Sequence, residues 1–305
     1  MSSATLGAPS ALVTVPPYAP FLKEVAQHPV VKGLRLNTVM PIKDSLEDVL
    51  KRLQDVAGEK ELWVDLKYRQ LRIKTYGVPP FTEIELTHEI SVDTPTTAYF
   101  SDGTESATVL AVHNKRLIMQ EGPQRVVGPG ESINIPDGNL IVHGGFTDLD
   151  EKYIVAARAV GVHRYMLSFV EEHADIEALL KLDPDADILA KIESRKGLHY
   201  VRLEYAKDHQ LMAARGDLYH EIKRPHHILQ ALELIIEKDP QAVAASRIFP
   251  SLAYSLEPSC PDIGDADNLL RMGYRTFMFG DDICMRRESV ISGLNLFEAI
   301  AERAK

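Results

Sequence analysis

The chain has 305 residues, 45% of them hydrophobic and 26% charged, a globular balance that excludes global disorder. Its net charge of −10 disfavours a nucleic-acid binder, because such affinity comes mostly from basic patches that release counterions. Two cysteines, Cys260 and Cys284, are too few for a disulfide framework or a thiolate zinc site, and no apolar run is long enough to span a membrane. The first residues, MSSATLGAPS, lack the basic start and apolar core of a secretory signal, so a soluble cytoplasmic protein is expected.

Short apolar runs then alternate with helical stretches. Residues 11–15 (ALVTV), 34–37 (LRLN) and 62–66 (LWVDL) read as strands. Between the last two, residues 45–56 place Leu46, Val49, Leu50 and Leu53 on one helical face, with Asp44 as the expected N-cap. From residue 78 to 135 the helical period disappears. Turn residues (Pro79, Pro80, Asp102, Gly103, Gly128, Pro129, Gly130) punctuate runs such as TEIELTHEI, ATVLAV and RLIMQ, the pattern of a small all-β module. The alternation resumes near residue 148. Strands are expected at 165–169, 188–192, 211–214, 242–245 and 276–279. Helices are expected at 149–160, 176–182, 198–206, 227–238, 265–272 and 290–304. Gly33, Gly197 and Gly273 read as turn residues at element junctions, and Asp281 and Asp282 as N-caps after the last strand.

Eight strands in strict alternation with helices imply parallel pairing and a closed α/β (β/α)8 TIM barrel, with an open doubly wound sheet as the competing arrangement. The barrel is expected over residues 1–78 and 136–305, and the inserted small β domain, lid-like and following strand three, over 79–135.

Residues 188–194 (ILAKIES) carry the clearest chemical signal. Side chains alternate along a strand, so Leu189, Lys191 and Glu193 share the face opposite Ile188, Ala190 and Ile192. Barrel active sites form at the carboxyl ends of strands, where Lys191 and Glu193 fall. A cation and an anion on one inward face imply a structural ion pair, a metal site or catalysis. One unit further on, Arg215, Gly216 and Asp217 close the next strand. Asp217 either caps the following segment or joins Glu193 on a divalent cation such as Mg²⁺ or Mn²⁺.

With these residues in place, the chain resembles the pyruvate kinase family. KIE (191–193) and MAARGDL (212–218) resemble its catalytic core. LRLN (34–37) is similar to the family's ARLNFSHG strand, VDLKYRQLR (64–72) to LDTKGPEIR, AASRIFPSL (244–252) to ATQMLESM, and FMFGDDI (277–283) to VMLSGET. The resemblance implies that Lys191 neutralises the transferring phosphoryl group and the enolate, while Glu193 and Asp217 hold the metal. Arg35 and Arg72 would serve phosphate oxygens, Arg35 and Asn37 the nucleotide. Arg215, Gly216 and Asp217 would bind substrate, and Ser246, in place of the family's threonine, would keep a hydroxyl near the enolate carbon.

The implied activity is divalent-metal-dependent phosphoryl transfer on phosphoenolpyruvate, pyruvate or a related 2-oxo acid, with ADP or ATP. A homo-oligomer is left open, and no nucleic-acid or membrane partner is implied. Val39 and Leu66 stand where the family has potassium ligands, so its K⁺ site is not expected. Tyr219 stands where the family has a small residue and is expected to narrow the nucleotide pocket. The chain stops soon after the eighth strand, so the family's C-terminal regulatory domain and its sugar-phosphate allostery are expected to be absent. Two alternatives accompany this reading: a metal-dependent lyase or aldolase of the pyruvate-enolate type, and a non-catalytic paralogue that binds a metabolite or a protein.

Overall fold

The structure, a computed structural model, describes residues 7–79, 83–100 and 103–303. The expected turn residues Pro80 and Asp102 and the end of the last helix lie outside these. The chain opens with β1 (Ser10–Thr14), α1 (Leu22–Gln27), β2 (Val31–Asn37), α2 (Leu46–Ala57) and β3 (Glu61–Leu66). The insert contributes β4 (Glu83–Glu85), β5 (Glu89–Ser91), β6 (Thr96–Phe100), β7 (Glu105–His113), β8 (Arg116–Met119), β9 (Ile133–Asn134) and β10 (Ile141–His143). Alternation resumes with α3 (Asp148–Ala159), β11 (Arg164–Leu167), α4 (His173–Leu182), β12 (Asp187–Ile192), α5 (Arg195–Leu203) and β13 (Gln210–Ala214). It ends with α6 (Arg215–Glu221), α7 (His227–Lys238), β14 (Val243–Ala245), α8 (Cys260–Met272), β15 (Thr276–Phe279), α9 (Asp281–Cys284) and α10 (Arg287–Arg303).

Strands β1, β2, β3, β11, β12, β13, β14 and β15 pair in parallel in that order, and β15 returns to β1. This is the expected closed barrel, interrupted by β strands after its third member. Alternation sorts the side chains as expected. Ile188, Ala190 and Ile192 pack outward against the helices. Inward-facing Leu12, Trp63, Met166, Leu189, Met212 and Val243 belong to a separate apolar cluster that fills the interior. Towards the strands' carboxyl ends the inward positions turn polar: Thr14, Arg35, Asp65, Ser168 and Lys191 are all buried.

The insert forms a five-stranded antiparallel sheet, β4–β8–β7–β6–β9, with β10 paired to β5. Its own hydrophobic cluster includes Phe100, Val109, Leu117 and Ile133, and reaches Leu71 and Ile73 before the 79–135 span and Leu140 and Val142 after it. No helix among the described residues is long and apolar enough to cross a membrane.

Some local expectations change. The N-cap of α2 is Ser45, whose Oγ accepts from the Asp48 amide at 3.2 Å, and not Asp44. Gly197 lies inside α5, where a Cβ would meet the Val170 carbonyl at 2.8 Å. Residues 215–221 form helix α6, too short for its period to register in the sequence. Gly33 sits within β2, opposite Leu12 of β1 and Glu61 of β3. A Cβ there would come within 2.8 Å of the Glu61 Cβ and 2.9 Å of the Leu12 Cδ2. Gly33→Ala should therefore destabilise the barrel by about 1–3 kcal/mol through overpacking. Urea denaturation checks this: the midpoint should fall with the slope unchanged.

Candidate active site

Period-two alternation on β3 turns Trp63, Asp65 and, just past the strand, Lys67 to one face, and β2 does the same for Gly33, Arg35 and Asn37. Of these, Arg35, Asn37, Asp65 and Lys67 lie above the apolar layer that contains Trp63, and the charges gather on Asp65, which is fully buried. Arg35 donates to Asp65 Oδ2 through Nε at 3.0 Å and also through Nη2. Lys67 Nζ donates to the same oxygen at 2.8 Å, and Lys191 Nζ lies 3.4 Å from Oδ1. Burial alone would raise the Asp65 carboxyl, but three cations hold it well below the ordinary range. Lys67 is the weakest of the three: burial pushes it down to about 7, against the pull of Asp65.

Lys191 also donates to Ser168 Oγ at 2.8 Å and lies 3.1 Å from Glu193 Oε1. The other oxygen of Glu193 accepts the Phe169 amide at 2.8 Å. Even so, burial pushes the Glu193 carboxyl up to about 7; Lys191 opposes the shift and Asp217 adds to it. Asp217, in the first turn of α6, accepts from Asn134 of β9 at 2.8 Å and from Gln70 at 3.3 Å. A residue of the insert thus binds directly to a carboxylate of the barrel mouth.

A cavity of about 490 Å³ opens over these groups. It is lined by Arg35, Asn37, Lys67, Arg72, Lys191, Glu193, Gly216, Asp217 and Ser246, with Gly130, Glu131 and Ser132 of the insert on its far wall. Arg72 binds only neutral acceptors: Gln70 Oε1 at 2.6 Å from Nη2, and the Gly130 carbonyl. Among the described residues it forms no direct ion pair, although Asp65, Asp217 and Glu193 act on it through space, and its guanidinium faces the cavity.

Eight of the nine sequence-predicted site residues therefore converge on one cavity. Arg215 does not join them. Its guanidinium binds both oxygens of Asp265 at 2.8 Å and donates to the carbonyls of Ser246 and Arg247 at 2.9–3.1 Å. Ser246 (φ 64) and Arg247 (φ 54) both adopt left-handed backbone, which costs on the order of 1–3 kcal/mol at each non-glycine residue. Arg215 holds that turn against the cavity, and the Gly216 Cα beside it leaves room for Ser246, which a Cβ would approach to 3.3 Å. Tyr219 does not narrow the cavity either: its ring lies under the Arg247 guanidinium, 4.6 Å away, in a hollow lined by α7 and α8.

Asp281 was expected as an N-cap, but Gly280 occupies that position. Asp281 Oδ2 instead accepts from Asn37 at 2.9 Å and Arg35 at 3.3 Å, and Oδ1 is buried without a partner. Asp65 and Lys67 were legible in principle, since the alternation that singled out Lys191 and Glu193 also applies to β3. Asn134 carried no such signal, because its position depends on how the insert docks. A further cluster, His163, Asp183 and Asp185, lies at the opposite end of the barrel strands. Asp183 is already satisfied there by His163, the Tyr165 hydroxyl and the Asp185 amide.

Among the described residues, Asp65 is the carboxylate bonded to both Lys67 and Arg35 inside the barrel. Asp65→Asn should destabilise the fold by about 3–5 kcal/mol, the cost of stranding buried charge, measurable by urea unfolding. A loss below about 1 kcal/mol would show that the cations are solvated there.

The family model described as "Pyruvate kinase, barrel domain" matches residues 79–282, about two thirds of the chain. A pyruvate kinase of Debaryomyces hansenii is 26% identical over 211 residues, covering 67% of this chain and 40% of that protein. One from Thermoplasma acidophilum is 29% identical over 145 residues, covering 45% of this chain and 26% of that protein. One from Borreliella burgdorferi is 23% identical over 212 residues, covering 67% and 44%. The chain spans less than half the length of each. A barrel broken by β strands after its third member, lysine and glutamate two apart on the fifth, and a family model covering most of the same span lead to one conclusion: the chain belongs to the pyruvate kinase family.

Proposed function

We propose that this protein is a divalent-metal-dependent enzyme of the pyruvate kinase type, transferring a phosphoryl group between phosphoenolpyruvate, or the enol phosphate of a related 2-oxo acid, and ADP. One observation carries the reading: Arg72, Lys191, Glu193, Asp217 and Ser246 line a single cavity at the carboxyl ends of the strands, closed on one side by the insert. Phosphoryl transfer asks the protein mainly for positioning and for positive charge aimed at the transferring group.

Arg72 is the phosphate-binding cation in this reading, since its charge has no carboxylate partner and its fork suits phosphate oxygens. Lys191, ordered by Asp65 and Ser168, presents its ammonium where the enolate oxygen gains charge. The first amides of α6, at Gly216 and Asp217, lack intrahelical acceptors and receive the substrate carboxylate. Ser246 holds its hydroxyl beside Gly216, within reach of the enolate carbon that takes up a proton.

Glu193 and Asp217 suit Mg²⁺ or Mn²⁺, which prefer oxygen donors, and burial together with the nearby Asp217 raises the Glu193 carboxyl, a cost that a cation between them would relieve. The cation, when bound, would offset negative charge on the substrate oxygens. Asp65 is already surrounded by three cations, which supports the expectation that K⁺ is not required.

Asp281 favours a second reading. Arg35 and Asn37, the residues assigned to the nucleotide, both bind the Asp281 carboxylate, which a nucleotide phosphate would have to displace. Enolate chemistry without a nucleotide, of the lyase type, needs only Lys191, the metal and a proton route near Ser246.

Turnover of phosphoenolpyruvate with ADP and Mn²⁺ separates the two. The kinase reading expects ATP formation, equal in K⁺ and Na⁺ and reduced at least ~10²-fold in Lys191→Met. Exchange of pyruvate methyl protons with deuterated water, without ATP formation or ADP binding, would establish the lyase reading instead. The metal assignment has its own pH signature. A ligand must be deprotonated to bind, and burial pushes the Glu193 carboxyl up to about 7. Mn²⁺ affinity, followed by paramagnetic relaxation, should therefore fall about tenfold per unit as pH drops below that value. Glu193→Gln should lose both the affinity and the slope, and Asp217→Ala the affinity.

A further inference from the structure

A second cavity, of about 580 Å³, lies at the seam between the insert and the barrel and shares no lining residue with the mouth cavity. Its insert wall is mostly apolar: Ile133, Ile135, Leu140, Ile141 and Val142 line it beside the polar Asn134 and Asp137, with Phe169 contributed by the barrel. Ile141 remains 54% exposed, an apolar side chain left without cover.

The barrel wall contains Glu221, at the end of α6. Only 9% of it is exposed, and among the described residues its carboxylate accepts no hydrogen bond and pairs with no cation. Glu171 lines the same cavity, with Ser194 Oγ at 2.6 Å and Lys196 Nζ at 4.0 Å. Three cations share the lining: Arg69 pairs with Glu172 at 2.9 Å and Asp175 at 2.8 Å, Arg195 donates to the Pro136 carbonyl at 3.2 Å, and Lys196 donates to the Leu140 carbonyl at 2.6 Å. Burial pushes the Glu221 carboxyl up to about 8, with Glu171 adding to the shift and Arg195 opposing it.

A desolvated carboxylate beside an apolar wall is costly alone and is relieved by a cation that brings its own apolar body. A divalent metal ion would gain nothing from the insert's hydrocarbon face, and an anion would be repelled by both glutamates. We propose that the seam cavity binds a small organic ammonium ion, its charged head against Glu221 and its hydrocarbon part on Ile135, Leu140 and Ile141. Asn134 stands in the wall between the two cavities, lining this one and donating to Asp217 in the other. The site is independent of which reaction the mouth cavity performs.

The test is calorimetric titration of the full chain, without nucleotide or phosphoenolpyruvate, with n-hexylammonium, hexanoate and hexanol as probes, buffered so that both the amine and Glu221 are charged. Hexylammonium should bind in the millimolar range or tighter, and the other two probes about tenfold more weakly or worse. Glu221→Gln, which keeps the shape, should weaken hexylammonium by about tenfold or more. Ile141→Arg, at an exposed position that does not disturb the core, should weaken it as well. Equal binding of hexylammonium to wild type and Glu221→Gln would overturn the proposal. So would hexanoate or hexanol matching it, or no hexylammonium binding in the millimolar range.

Discussion

Asp65 is fully buried at the carboxyl end of β3, and the guanidinium of Arg35 and the ammonium groups of Lys67 and Lys191 converge on its two oxygens. A lone carboxylate in that position would be strongly destabilising, and so would any of the three cations without it. Together they form a charged layer across the barrel, tying β2, β3 and β12 to one another. The catalytic candidates are arranged on that layer. Lys191 is aimed by Asp65 and Ser168, and Glu193, two residues further along the strand, is carried above it.

The mouth is completed by parts that contribute no reactive group. Arg215 binds Asp265 on one side and two carbonyls on the other, and so holds Ser246 and Arg247 in a backbone conformation that neither would adopt alone. A residue that the family resemblance assigned to substrate binding instead holds the turn that presents Ser246. Asp281 works in the opposite direction: it pairs with Arg35 and orders Asn37, whereas among the described residues Arg72 hydrogen-bonds to neutral acceptors.

The insert has two distinct relations to the barrel. Through Gly130, Glu131 and Ser132 it walls the mouth, and through Asn134 it reaches Asp217. Away from the mouth, its apolar β9–β10 face overlooks Glu221 and Glu171 across a separate space. The first relation is polar and specific. The second juxtaposes apolar surface and buried negative charge, a combination that calls for an amphipathic cation.

Much of this was legible along the chain because it depends on period alone. Alternation on residues 188–193 separates an outward apolar face from Lys191 and Glu193, and strand–helix alternation implies a closed parallel barrel. The same periodicity on β3 marks Asp65 and Lys67. Short elements escaped: α6 has too few residues to show a period, and Gly33 and Gly197 look like turn residues although they serve close packing inside β2 and α5. The roles of Arg215, Asp281, Asn134 and Tyr219 were decided only by tertiary structure. Each is a long or polar side chain whose partner lies on another element. Nothing local in the sequence states whether Arg215 meets Asp265 or a substrate, whereas the direction of a strand side chain follows from its neighbours in the chain.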